Sequence, residues 1–220
     1  MPAKSNERVR MIRNLKILGL ALVALLAMSA LASTASAQFE SEAESTNLTA
    51  SSNAMQKIAF SEGGIAIECT TLKVSGTQAG KANATVTIAP VYSNCETFLG
   101  AATSFNTNGC KFVFHLLKGS TSGTTDIECE AGKAMEFIIG SICRYTIGTQ
   151  TGLGSLSFKN TGSGTTREII VEQNLKGITS TRTTNDFFCP AGGSTGNLTG
   201  NWSMTGENAA GTSHTGIFLD

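Results

Sequence analysis

The sequence predicts an all-β fold, either an antiparallel β-sandwich or a closed barrel, of about 11–12 short strands stapled by disulfides. Apolar residues recur at period two, glycine-rich turns separate the runs, and no apolar segment after residue 37 holds a 3.6-residue period long enough for a stable helix. Composition agrees: residues 38–220 carry 28 Thr, and the chain has 24 Gly against 3 Pro. β-Branched Thr suits a pleated, half-buried surface, and Gly supplies the positive φ that tight turns require. Sandwich and barrel both remain open because each deals with exposed strand edges.

The amino terminus is basic, with Lys4, Arg8, Arg10, Arg13 and Lys16 against Glu7, and the apolar run ILGLALVALLAM follows from Ile17 to Met28. Small residues then lead to Ala35-Ser36-Ala37, an A-x-A site, so residues 1–37 read as a secretory signal peptide cleaved after Ala37. An uncleaved anchor is the competing reading, because no charge lies between Ile17 and Phe39. Residues 38–53, QFESEAESTNLTASSN, are poor in large apolar side chains and read as a flexible leader to a single β-rich domain over 54–220.

Within that domain, GIAIECTTL sets Ile65, Ile67 and Cys69 on one face, and NATVTIA sets Ala84, Val86 and Ile88 on one face. The polar stretch GTQAGKAN between them makes a hairpin. Asn108-Gly109 is a tight-turn signal opening CKFVFHLL, where Cys110, Phe112, Phe114 and Leu116 alternate with Lys111, Val113 and His115. Further strand-length runs are TTDIEC, AMEFIIG, CRYTIG, LGSLSFKN, TREIIVEQ and ITSTRTT. In TGNLTGNWSMTG, Leu198, Gly200, Trp202 and Met204 share a side, so the single Trp reads as a core residue. Asn47, Asn83, Asn197 and Asn201 match N-x-S/T, a triplet expected by chance in so Thr-rich a chain.

All six cysteines, Cys69, Cys95, Cys110, Cys129, Cys143 and Cys189, follow the signal region and read as three disulfides. No C-x-x-C or H-x-x-x-H occurs, so neither a metal site nor a cofactor is expected. The hairpin brings Cys69 to Cys95. For the rest, closeness in sequence favours Cys129 with Cys143, leaving Cys110 with Cys189.

Beyond residue 37 the chain holds 11 Lys and Arg against 15 Asp and Glu, with the lysines scattered singly. That leaves no basic footprint for nucleic acid. A hydrolase needs a nucleophile, a base and an orienting group, and the only histidines are His115, mid-strand on a mixed face, and His214, in the polar turn GTSHTG. G-x-S-x-G and G-x-x-x-x-G-K-[ST] do not occur. Asp126, Glu128 and Glu130 form an acidic stripe at period two, readable as a calcium site or as a solvated strand face. Their spacing of about 7 Å along a straight strand favours the solvated face. Aromatic platforms for sugar would draw on Tyr92, Tyr145 and Trp202.

IECTTLKVSG, APVYSNC, NGCKFVFHL, DIECEAGKAMEFIIGSICRYTI and FFCP before GNLTGNWS together resemble a large group of exported bacterial proteins that are Thr/Gly-rich and β-rich, with Cys at similar places. The resemblance implies an exported β protein and carries no activity, cofactor or site residue with it. The expected function is therefore a secreted or cell-surface, non-catalytic structural or adhesive protein, without a membrane segment once the signal is removed. Its partner would be the cell envelope or a polysaccharide. A carbohydrate- or small-ligand-binding module is the alternative, and a secreted hydrolase ranks behind both.

Overall fold

The computed structural model describes residues 37–52, 54–60, 66–97, 99–184 and 187–220. The expected signal segment up to Ser36, and Ile65 in the first expected strand, lie outside the described residues. In chain order the strands are β1 (Phe39–Ser41), β2 (Ser45–Ser52), β3 (Gln56–Ala59), β4 (Ala66–Ala79), β5 (Ala82–Asn83), β6 (Thr85–Thr97), β7 (Ala102–Asn106) and β8 (Lys111–Leu116). They continue with β9 (Ser122–Glu128), β10 (Met135–Ile139), β11 (Cys143–Ile147), β12 (Gln150–Thr161), β13 (Glu168–Ile178), β14 (Thr181–Arg182), β15 (Gly196–Asn208) and β16 (Ile217–Leu219).

Every ladder is antiparallel, and eight strands close on themselves in the order β2, β4, β6, β8, β9, β12, β13, β15 and back to β2. Of the two architectures open from sequence, this is the barrel. β3 continues the lane of β2 between β4 and β15, with Ile58 opposite both Ile67 and Leu198. β6 feeds two sheets. Its Thr85 to Ile88 half pairs with β8, whereas Cys95 and Glu96 pair with β7, which leads to β10, β11 and β14 as an outer sheet. At the other end of the β4–β6 hairpin, β16, β1 and β5 form a three-stranded sheet.

Alternation decides which side chains fill the interior. Leu48, Leu72, Val86, Ile88, Phe114, Phe158, Val171, Trp202 and Met204 are all buried. Trp202 therefore lies in the core, its ring 6.1 Å from that of Phe114. A second aromatic group joins the outer sheet to this core: Phe60 stacks on Tyr145 at 4.7 Å, and Phe105 stacks on Phe137 at 4.0 Å. On β4 the buried set changes phase between Cys69 and Leu72, and on β6 between Cys95 and Tyr92. The paired residues skip Thr70 and Asn94, and Asn94 takes a φ of 53°, a conformation Asn tolerates better than most residues.

Residues 38–52, the described part of the expected leader 38–53, are built into the fold. They supply β1 and β2, with Phe39 buried edge-on to Phe158 at 5.2 Å and Leu48 buried opposite Gly76. The segment is polar because its strand faces alternate and only one face is covered: the Thr46 hydroxyl is buried and donates to Ser41 Oγ at 2.9 Å. The sixteen strands among the described residues exceed the expected number because β1, β3, β5, β14 and β16 are two to four residues long, below the length at which a period can be read.

The disulfides join Cys69 to Cys95, Cys110 to Cys129 and Cys143 to Cys189. The expected pairs Cys129 with Cys143 and Cys110 with Cys189 are not formed. β8 and β9 pair with Lys111 opposite Glu128, which brings Cys110 against Cys129. Cys143 opens β11 and meets the loop after β14.

Candidate functional site

The candidate general base, His115, projects from β8, and its Nε2 lies 3.0 Å from Asp126 Oδ2 on β9. Asp126 Oδ1 also accepts the Gly152 N–H at 2.7 Å, so the carboxylate ties β8, β9 and the start of β12 together. Cross-strand neighbours of His115 are Thr85 and Thr124, and neither hydroxyl hydrogen-bonds the ring among the described contacts. His and Asp thus form a partly exposed pair on the barrel wall, and no Ser, Thr or Cys side chain hydrogen-bonds the ring among the described residues. His214 is exposed and bridged through its backbone to Glu207.

The acidic stripe does not converge. Asp126 is engaged by His115 and Gly152, Glu128 is exposed opposite Lys111, and Glu130 lies beyond β9 in a turn closed by Lys133 N–H to Glu130 carbonyl at 2.9 Å. No group of three His, Cys, Asp or Glu suited to a metal ion occurs among the described residues.

The three candidate sugar platforms are buried. Trp202 is in the barrel. Tyr92 lies beside Phe105, with ring centroids 4.7 Å apart, and burial pushes its phenol well above the ordinary tyrosine range, opposed by a hydrogen bond with Gln173. Tyr145 donates its hydroxyl to the Pro190 carbonyl at 2.9 Å. Burial raises its pKa as well, and the Arg182 guanidinium nearby lowers it in part.

The exposed aromatics are elsewhere. Phe187 and Phe188 are 93% and 83% exposed, with rings 5.9 Å apart and nearly perpendicular. The loop that carries them is pinned at its base. Cys189 is bonded to Cys143, the Arg182 guanidinium donates to the Cys189 carbonyl, and Tyr145 holds Pro190. On the other side Thr183 N–H donates to the Arg144 carbonyl at 2.9 Å and Arg144 N–H to Thr184 Oγ1 at 3.3 Å. Ile142, beside Cys143, is half exposed. The exposed Leu99 lies on the β6–β7 turn, which Gly140 N–H to Ala102 carbonyl brings beside the β10–β11 turn. The sequence contained the signal, two adjacent Phe before a Cys-Pro, but a pair of apolar residues reads by default as core.

The barrel's outward faces are polar. Over β12, β13 and β15 a shallow groove of about 410 Å³ is lined by Ser157, Glu172, Asn174, Thr199 and Asn201. No helix among the described residues is long and apolar enough to cross a membrane, and the three disulfides fit an extracytoplasmic location. No family model, curated protein or solved structure matches the chain.

Proposed function

We propose that this chain is a secreted or cell-surface, non-catalytic protein with an adhesive role, held in shape by its barrel and disulfides. The observation that carries the reading is the Phe187 and Phe188 pair, two aromatic rings presented to solvent by a loop fixed through a disulfide and four hydrogen bonds. Two side chains as exposed as Phe187 and Phe188 forgo burial of the order of 2 kcal/mol each. Pre-ordering a contact loop lowers the entropy lost on binding. The half-exposed His115 and Asp126 pair supports the non-catalytic part, since it lacks the aligned nucleophile that acyl transfer needs.

Retention of purified protein on cell-envelope fragments tests this. The parent chain should be retained and a Phe187→Ser, Phe188→Ser variant should not. Equal retention of both, or a hydrolytic activity abolished by His115→Ala in a folded protein, would overturn it.

A second reading, an extracellular carbohydrate-binding module, is favoured by the groove over β13 and β15. Its hydroxyl and amide groups (Ser157, Asn174, Thr199 and Asn201) with Glu172 suit the hydrogen-bonding of a glycan, although no aromatic stacks over it.

A further inference from the structure

We propose that the outward face of β15 is a binding track for a neutral, linear polysaccharide, held around Thr199 by the side-chain amides of Asn174, Asn197 and Asn201. The proposal rests on the carbohydrate-binding reading above and names the ligand and the residues that hold it.

The repeated Gly-Asn-x-Thr/Ser of β15 sets the pattern. Leu198, Trp202 and Met204 are buried, so the alternate residues Asn197, Thr199, Asn201, Ser203, Thr205 and Glu207 face outward. They line three shallow grooves that follow one another along the strand. The first, of about 410 Å³, holds Asn197; the second, also of about 410 Å³, holds Thr199 and Asn201; the third, of about 420 Å³, holds Ser203, Thr205 and Glu207. At roughly 3.3 Å per residue the run from Asn197 to Glu207 is about 33 Å long, which suits an extended polymer better than a single sugar.

Amide usage marks the middle of the track. Every other Asn side chain among the described residues hydrogen-bonds within the protein, as Asn47 does with the Asn208 carbonyl and Asn160 with both backbone groups of Leu219. The side chains of Asn174, Asn197 and Asn201 have no such bond among the described residues. They also converge. Asn174 on β13 stands opposite Thr199, with Asn197 and Asn201 two residues to either side of Thr199 on β15. Asn174 is thus the diagonal neighbour of both, at roughly 7–8 Å. Each amide offers two N–H donors and a carbonyl acceptor, a match for sugar hydroxyls, which both donate and accept. The ladders fix all three backbones, so little order is lost on binding.

Charge and pairing narrow the polymer. The charged residues lining the grooves are Glu168, Glu172 and Glu207 against Lys176, so a polyanion would be repelled. A peptide that adds to a sheet needs an unpaired strand edge. β15 has β13 on one side and β3 and β2 on the other, and between those two the Asn201 carbonyl accepts from Ser52 Oγ at 3.0 Å. Recognition is left to the hydroxyl and amide side chains, which repeat along the strand as hydroxyls repeat along a glycan.

Native electrophoresis of the disulfide-intact protein through gels containing hydroxyethyl cellulose, glucomannan or dextran tests the proposal. At least one of the three should retard the protein, in high salt as in low. Asn174→Ala, Asn197→Ala and Asn201→Ala together should weaken that binding at least tenfold with thermal unfolding unchanged, and Asn201→Ala alone, at an exposed position, at least threefold. A hexasaccharide with the linkage of the retarding polymer should compete at least tenfold better than the disaccharide. Binding that survives the substitutions, or equal competition by the two oligosaccharides, would overturn the track and leave the carbohydrate reading standing. Retardation by dextran sulfate alone, lost in salt, or no retardation by any of the four polymers, would remove both.

Discussion

Gln173 on β13 donates its amide to Gln56 Oε1 on β3 at 3.0 Å, over Gly200 of β15, the strand that runs between them. Both side chains are buried. Gln56 Nε2 in turn donates to the carbonyls of Ala54 at 3.1 Å and Asn201 at 3.4 Å, and Gln173 hydrogen-bonds the Tyr92 phenol. Buried amides cost free energy unless paired, so this chain of bonds is what allows two Gln inside an apolar lumen.

The network needs Gly200. A Cβ at that position would overlap the Gln56 side-chain amide. Gly200→Ala should therefore destabilise the protein by about 1–3 kcal/mol, the usual cost of overpacking. The same substitution in a Gln56→Ala background should cost clearly less, because the overlapping group is gone. Urea denaturation of the four proteins in this cycle measures the coupling. Additive costs would show that Gly200 is not held small by Gln56.

Tyr92 makes alkaline stability testable. Burial raises its phenol far above the 10.0 of a free tyrosine, and Tyr145 shifts in the same direction. Above about pH 10 the unfolded chain releases the proton and the folded chain keeps it, so the unfolded state binds fewer protons. The contribution is complete below the unfolded pKa and is lost as pH rises beyond it. We expect the urea midpoint to drop as pH rises from about 10 upward, and Tyr92→Phe to flatten that drop. An unchanged slope in the variant would exclude Tyr92 as its source.

How much of this was legible beforehand differs by element. The β4–β6 hairpin could be read because Ile67, Val86 and Ile88 alternate cleanly, and the alternation faded where the phase shifts at Thr70 and Asn94. β2 was missed because a strand between two others can be held by its ladders while carrying a single large apolar residue, Leu48. The Cys110 to Cys129 bridge follows from the β8–β9 register, which closeness along the chain does not reveal. As for the site, His115 and Asp126 read in the sequence as separate features; their contact is diagonal across adjacent strands, with His115 opposite Thr124 and Asp126 opposite Val113. Phe187 and Phe188 could not be placed, since exposure depends on what else covers a residue.

The His115 and Asp126 contact has an asymmetric expectation. His115→Ala removes one partner of a half-exposed pair and should cost about 0–1 kcal/mol. Asp126→Ala also leaves the Gly152 N–H without its acceptor, and should cost about 1.5–3 kcal/mol, in the range of a hydrogen bond to a charged group. His214→Ala, on an exposed turn, should stay within about 0.5 kcal/mol. Chemical denaturation ranks the three. A His115→Ala loss equal to that of Asp126→Ala would mean the carboxylate acts only through the imidazole.

The disulfide between Cys143 and Cys189 should govern the loop as well as the whole domain. It spans 46 residues, against 19 for Cys110 to Cys129. In the chain-entropy model these closures remove about 4.0 and about 3.2 kcal/mol from the unfolded state, so the two Ser double variants should differ modestly in global stability. Local behaviour should differ more. Cys110 and Cys129 flank paired strands, whereas Thr183, Thr184, Cys189 and Pro190 lie outside the strands and are held by the disulfide, Arg182, Arg144 and Tyr145. Cys143→Ser with Cys189→Ser should accordingly open this loop to proteolysis under native conditions, with first cleavage beside Phe187 or Phe188. Cys110→Ser with Cys129→Ser should leave it resistant. Limited chymotrypsin digestion with mass mapping reads this directly, and first cleavage in β8 or β9 of the Cys143 and Cys189 variant would show that the bridge stabilises only the global fold.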